Sequence, residues 1–371
     1  MSTANQGGAL SDLPPLPEAS ADEVRDQDCK CGSKEGSRNL VICIDGTSNK
    51  FGKKNTNIIE LYSQVCKTDE QLTYYNSGVG TSAKPTGSWR NLTTVGRWVT
   101  DTIDLAIAWN MEKIIMKAYR WLSDVYKDGD KIYLFGFSRG AYLVRALAGM
   151  IHEVGLILPG NKEQIPLWVR LPLCCNPPSP TAGHPPSNSD LKPPTARELA
   201  SVFKSTFSRK HVRVHFIGVW DTVSSVGIIR HRTLPSTTTS KEHFCYFRHA
   251  LALDERRVKF QPDYIFGTKA DQSTDGDVKE VWFAGSHSDV YNHKLESGDI
   301  PLLWMRNEAN IAGLQLVPKE TTWKLTDLEK KTIESLTPWW WLLEIAPFER
   351  RMYANDPEKG LPWWKRYMCV Y

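Results

Sequence analysis

Ser138 stands in Gly136-Phe137-Ser138-Arg139-Gly140, a pattern whose residue types suit nucleophilic attack. The apolar run Lys131-Ile132-Tyr133-Leu134-Phe135 before it reads as a strand, and Ala141 to Ile151 after it reads as a helix. In that setting a glycine-flanked serine occupies a tight strand-to-helix turn. The glycines let the neighbouring backbones pass closely, and the turn lifts the hydroxyl clear of the sheet. The Arg139 backbone N–H then lies at a helix N-terminus, where negative charge developing on a substrate oxygen is favoured. A hydroxyl still needs a base, and the base needs an acid to orient it. In this kind of fold they follow in the order serine, acid, histidine, at strand ends. Asp221 closes the run Val212 to Trp220, and His287 follows the run Glu280 to Phe283, so Ser138, Asp221 and His287 form the candidate catalytic set. Asp254 is the alternative acid; Asp289 is too near His287 in sequence to serve it easily. His293, His249 (in a stretch read as helical) and His215 (inside a strand) are the rival histidines. Gly46 and Thr47, just after the early run Leu40 to Ile44, join Arg139 as candidate donors to an oxyanion. Asp45 is placed to cap their loop or to hold Arg139.

The elements that must position these groups alternate along the chain. Asn39 to Ile44 is a short apolar run stopped by Asp45-Gly46, the form of a buried parallel strand. Asn55-Thr56-Asn57 can cap a helix bearing Ile58, Ile59, Leu61, Tyr62 and Val65. A strand over Gln71 to Asn76 and a helix from about Asp104 to Tyr126 follow. Strand and helix in alternation predict an α/β fold with a mostly parallel central sheet flanked by helices. Residues 1–38 have the Ser-, Gly-, Pro- and acid-rich composition of a disordered tail. Residues 39–371 read as one domain, interrupted at about 159–198 by a stretch holding ten prolines between Pro159 and Pro194. Such a stretch is expected to be an insertion or a lid.

Composition narrows the partners. A net charge of +4 on 371 residues gives no footprint for nucleic acid, and Arg256-Arg257-Val258-Lys259 reads as a solvated helix end. The eight cysteines are scattered without paired C-x-x-C sets, so the spacing indicates neither a zinc site nor a disulfide framework. No metal and no organic cofactor is expected for the serine chemistry. Fourteen tryptophans include Trp339-Trp340-Trp341 and Trp363-Trp364. They fit a C-terminal segment packed on the main body, or a surface making peripheral contact with a membrane. Met1 to Asp28 lacks the pattern of a secretory signal, and no apolar run is long enough to span a bilayer, so the cytoplasm is the default expectation. Oligomeric state leaves no mark in the sequence.

Two other readings compete. Ile44-Asp45-Gly46-Thr47 echoes the Asp-x-Asp-Gly-Thr signature of haloacid-dehalogenase phosphatases, but the position of its nucleophilic aspartate is Cys43. A non-catalytic or degenerate binding protein would leave the serine, acid and histidine without a purpose.

Taken together, several segments resemble the α/β-hydrolase domain shared with the catalytic region of type VI secretion phospholipase effectors and common in fungi. They are Val41 to Thr47, Phe135 to Ala141, Gly218 to Val223, His249 to Arg257 and Val281 to Val290, in the family's order within about residues 39–345. The resemblance implies an ester hydrolase, with phospholipase activity in bacterial relatives and an ester or lipid substrate here. It carries Ser138 onto the family nucleophile, His287 onto the histidine of its His-Ser-Asp-Val segment, and Asp221 onto the acid. Where the family continues with glycines, this chain has Tyr291-Asn292. Glycine reaches backbone angles closed to tyrosine, so a different loop path, and with it a different substrate preference, is implied.

Overall fold

The computed structural model describes residues 31–33, 36–46, 56–78, 95–166, 195–209, 211–223, 243–257, 262–265, 276–290 and 300–318. The expected tail through residue 30, the Pro-rich stretch over 167–194 and the Trp-rich segment beyond 318 lie outside them. Strands β1 (Asn39–Ile44), β2 (Gln71–Asn76), β3 (Lys131–Phe137), β6 (Val214–Trp220), β7 (Phe244–Ala252) and β8 (Asp277–Phe283) form one sheet in the order β2-β1-β3-β6-β7-β8. Every pairing in it is parallel. A second, antiparallel pair joins β4 (Leu156–Ile157) to β5 (Ser208–Arg209). The central strands are nearly continuous apolar runs because helices cover both faces. All six residues of β1 and all seven of β6 are buried.

One face packs Leu40, Ile42, Ile44, Ile132 and Leu134 against α2 (Val95–Val125) and α3 (Arg139–Val154), with Phe203 of α4 (Ala196–Phe207) alongside. The other packs Val41, Cys43, Tyr133, Phe135 and Phe216 against α1 (Asn57–Gln64) and α5 (Ile300–Ile311). This is an α/β-hydrolase-like arrangement. From β1 the chain winds outward to β2, then crosses back so that β3 lies on the other side of β1. Ligands of open α/β sheets bind beyond the carboxyl ends of strands at such a reversal.

Three details depart from the sequence reading. Helix α2 starts at Val95 rather than near Asp104, because Val, Gly and Thr in its first turns have weak helix propensity and hide the start. His249 lies in strand β7, not in a helix. The alternation of His249, Leu251 and Leu253 with alanines is the period of a strand, masked by the helical preference of Ala and Leu. Arg256 and Arg257 follow that strand in a loop rather than ending a helix. Among the described residues no helix is long and apolar enough to cross a membrane.

Candidate active site

Ser138 sits between β3 and α3 with φ 55° and ψ −121°, a conformation that side-chain-bearing residues rarely adopt. The backbone holds it there: its N–H donates to Trp220 O (3.0 Å), and its carbonyl accepts from Tyr142 N–H and Val223 N–H (3.3 Å each). The flanking glycines make the turn sterically feasible. A Cβ on Gly136 would come within 2.6 Å of Gly140 O, and one on Gly140 within 2.3 Å of Ile44 O. The head of α3 therefore rides directly over the end of β1.

The Val214–Trp220 strand delivers Asp221 beside this turn, and the loop after β8 delivers His287. His287 Nδ1 is 2.5 Å from Asp221 Oδ2, and His287 Nε2 is 3.0 Å from Ser138 Oγ. A carboxylate only accepts, so Nδ1 carries the proton and the lone pair of Nε2 faces the hydroxyl. Asp221 is fully buried. Its φ is 39°, its N–H donates to Ala250 O (2.8 Å), and its Oδ1 accepts Ala252 N–H (3.3 Å). The ring of Phe137 lies 4.8 Å from that of His287.

The alternative acid lies elsewhere in the site. Asp254 is exposed, and its Oδ2 accepts Gly285 N–H (2.6 Å), which pins the loop leading to His287 without touching the imidazole. Asp289 Oδ2 accepts the Ser286 N–H and hydroxyl (2.8 and 2.9 Å). Gly46 N–H donates to Asp45 Oδ1 (2.7 Å), so in this arrangement it is turned toward its own loop. Asp45 thus caps the loop, and its Oδ2 also accepts the Thr56 hydroxyl (2.7 Å), itself the N-cap of α1. Arg139 opens α3, where first-turn N–H groups have no acceptor within the helix. Thr47, His293 and the Tyr291-Asn292 substitution fall outside the described residues. Cys43 is wholly buried in β1, and burial, with Asp45 nearby, pushes its thiol far above the ordinary range. The position a phosphatase nucleophile would need therefore holds an inert group.

A supporting network went unseen in the sequence. His249 Nε2 accepts Thr222 N–H (3.1 Å) from the residue after Asp221, so its Nδ1–H donates to Glu280 Oε1 (3.0 Å). Glu280 also accepts Ile265 N–H (3.2 Å). Burial alone would raise the Glu280 carboxyl, but His249, Ile265 N–H and Arg145 together hold it below the ordinary range. Buried Arg145 of α3 donates to Asp263 O, and Asp263 N–H donates to Thr222 O (3.0 Å). On the histidine side, His287 N–H donates to Glu255 Oε2 (3.1 Å), which Arg257 grips with Nε and Nη2 (2.8 Å each). Burial would raise the Glu255 carboxyl, but the Arg257 bonds and charge and the His287 N–H bring it below the ordinary range. Asn57 of α1 donates to Val290 O (2.8 Å) and closes the frame. The sequence signal that could have found it is the segment His249 to Arg257, which holds His249, Glu255 and Arg257 together.

Residues 38–308 match the family "T6SS, Phospholipase effector Tle1-like, catalytic domain". An uncharacterised protein of Saccharomyces cerevisiae is 36% identical over 234 residues, which is 60% of this chain and 32% of that protein. The chain thus spans about a third of that relative's length. A crystal structure of an uncharacterised protein from Pseudomonas aeruginosa aligns with a TM-score of 0.39 and 16% identity, covering 80% of this chain and 49% of that one.

Proposed function

The chain belongs to the family of Tle1-like phospholipase effector catalytic domains, and from that premise we propose that it is a serine ester hydrolase of lipase or phospholipase type. The observation that carries this reading is the unbroken run of hydrogen bonds from Ser138 Oγ through His287 to Asp221. In the proposed reaction His287 Nε2 takes the hydroxyl proton as Ser138 Oγ bonds to the ester carbonyl carbon. The carbonyl electrons move onto oxygen. Asp221 holds the imidazole tautomer and stabilises the imidazolium that forms. We assign Arg139 N–H, with the positive end of α3 behind it, as one donor to the oxyanion. Collapse breaks the bond to the alkoxy group, which leaves with the proton from His287 Nε2. Water, deprotonated by the same nitrogen, then attacks the acyl carbon, and Nε2 returns the proton to Ser138 Oγ as the acyl–oxygen bond breaks and the acid leaves. Asp254 and Glu255 hold the loop that presents His287 and take no proton. A lipid ester is the proposed substrate, in keeping with the family.

The test is labelling of the purified chain with a fluorophosphonate probe, beside Ser138→Ala, and turnover of p-nitrophenyl esters of graded chain length. We expect labelling that disappears in Ser138→Ala, with turnover down by roughly a thousandfold or more. A preference for long acyl chains, extended to phosphatidylcholine vesicles, supports a lipid substrate. Absence of labelling in the folded wild type sinks the proposal and favours a hydrolase-fold binding protein.

A further inference from the structure

At the opposite end of the sheet from Ser138, three side chains of metal-binding type converge. Cys31 precedes β1, while His215 and Cys245 are the second residues of the neighbouring strands β6 and β7. The pairings Val214 with Phe244 and Phe216 with Tyr246 place His215 and Cys245 side by side. All three are buried, and their ligand atoms lie within 4.8 Å of one another, with Cys31 Sγ 3.3 Å from His215 Nδ1.

We propose that Cys31, His215 and Cys245 bind a structural zinc ion that fastens the segment before β1 to the amino ends of β6 and β7. The tautomer of His215 supports this. Its Nε2 lies 2.9 Å from the carbonyl of Ala312, which only accepts, so Nε2 carries the proton and the Nδ1 lone pair is turned toward the cysteines. A ligating histidine with its other nitrogen donating to a backbone carbonyl is the usual outer-shell arrangement of zinc sites. Tyr133 donates to the same carbonyl (2.6 Å) and its ring meets that of His215 edge-on at 5.1 Å, so the imidazole plane is fixed from two sides. The spacing brackets that of a zinc site: Cys31 Sγ and His215 Nδ1 are 3.3 Å apart, and all three ligand atoms lie within 4.8 Å. Zn–S of about 2.3 Å and Zn–N of about 2.0 Å in a tetrahedron separate ligand atoms by roughly 3.5–3.8 Å. Charge also balances: two thiolates and a neutral imidazole around Zn²⁺ make a neutral core, which a buried location tolerates. The two thiol protons leave to solvent as the metal enters.

Thiolate and imidazole ligands select zinc over magnesium or calcium. The ligands are 184 residues apart between Cys31 and His215, which is why no compact spacing announced the site. Cys29 stands two residues before Cys31 in the sequence, outside the described residues, and the proposal rests on the other three. A strand of six or seven residues spans roughly 20 Å, so the ion would have no part in ester chemistry.

The experiment uses the full chain without a histidine tag, loaded with zinc and dialysed, then analysed by inductively coupled plasma mass spectrometry. We expect about one zinc per folded chain, falling below about a tenth in Cys31→Ser. Cys31 lies ahead of the sheet, so this variant is chosen to keep the fold, with circular dichroism as its control. Should it unfold, the wild type reconstituted with Co²⁺ carries the test: a sulfur-to-cobalt charge-transfer band supports the site. A folded wild type that binds no zinc overturns the proposal, as does full zinc retention in folded Cys31→Ser. A Cys31–Cys245 disulfide in the thiol-blocked, non-reduced protein, or a cobalt spectrum without that band, overturns it equally.

Discussion

Among the described residues, the non-glycine positions with positive φ are Ser138 and Asp221. Such backbone costs on the order of 1–3 kcal/mol at each position and persists where neighbours over-determine it. The two positions are the ends of the hydrogen-bonded chain that runs through His287. The acid assignment is open to a direct comparison. Asp221→Asn should fold normally and lose roughly 10⁴-fold in kcat, since the amide favours the wrong imidazole tautomer. Asp254→Asn should stay within a few-fold, because its carboxylate bonds Gly285 N–H and not the imidazole. A large loss in Asp254→Asn with most p-nitrophenyl ester turnover kept in Asp221→Asn would reverse the two roles. The residue behind the acid makes a second case. His249→Phe removes one of the two donors to the buried Glu280 carboxylate, leaving Ile265 N–H, and should cost about 1–3 kcal/mol in urea unfolding. The double variant His249→Phe with Glu280→Leu should recover much of that, and no recovery would mean the pair is not coupled. Ser138, Asp221 and His287 were legible as candidates because reactive types stand at strand ends in the chain order this kind of fold uses. His249 and Glu280 were not, because their work depends on neighbours that only the folded sheet provides.

At the scale of elements, the elbow is a contact between backbones. Gly136→Ala and Gly140→Ala would each bring a methyl group under 3 Å from main-chain atoms that cannot retreat. Each should destabilise by roughly 1–3 kcal/mol, and fluorophosphonate labelling should fall even in the fraction that folds. Unchanged melting and labelling would show that the turn has room. The strands were readable wherever continuous burial left a run of apolar residues, as in β1, β3 and β6. The stretch around His249 has a helical composition because Ala and Leu prefer helices, and the strand's two-residue period emerges with Phe244 and Tyr246 ahead of it. The start of α2 was missed for the opposite reason: its first turns lack good helix formers, so a helix stands where local preference is weak.

For the molecule as a whole, acid should be more damaging than the carboxylates alone explain. Burial first, then the charges of His152, Arg145 and Arg213, lowers His243 to about 3 from its ordinary 6.5. The unfolded chain therefore binds a proton that the folded chain refuses between those values. Stability falls as pH drops below about 6.5, by up to about 1.4 kcal/mol per pH unit from this group. His243→Gln should flatten that slope in urea unfolding followed from pH 6.5 to 4. Parallel curves for variant and wild type would remove His243 as the cause.

The separation of the reacting groups along the chain has a consequence for biosynthesis. His287 follows Ser138 by 149 residues, and ribosomes add about 5–20 residues per second. The nucleophile of the proposed hydrolase thus emerges roughly 7–30 s ahead of its base. Because β6, β7 and β8 must pair in parallel before Asp221 and His287 meet Ser138, nascent and partly folded chains are inert. The proposed hydrolase would in this way gain its reactivity only once the strand leading to His287 has joined the sheet.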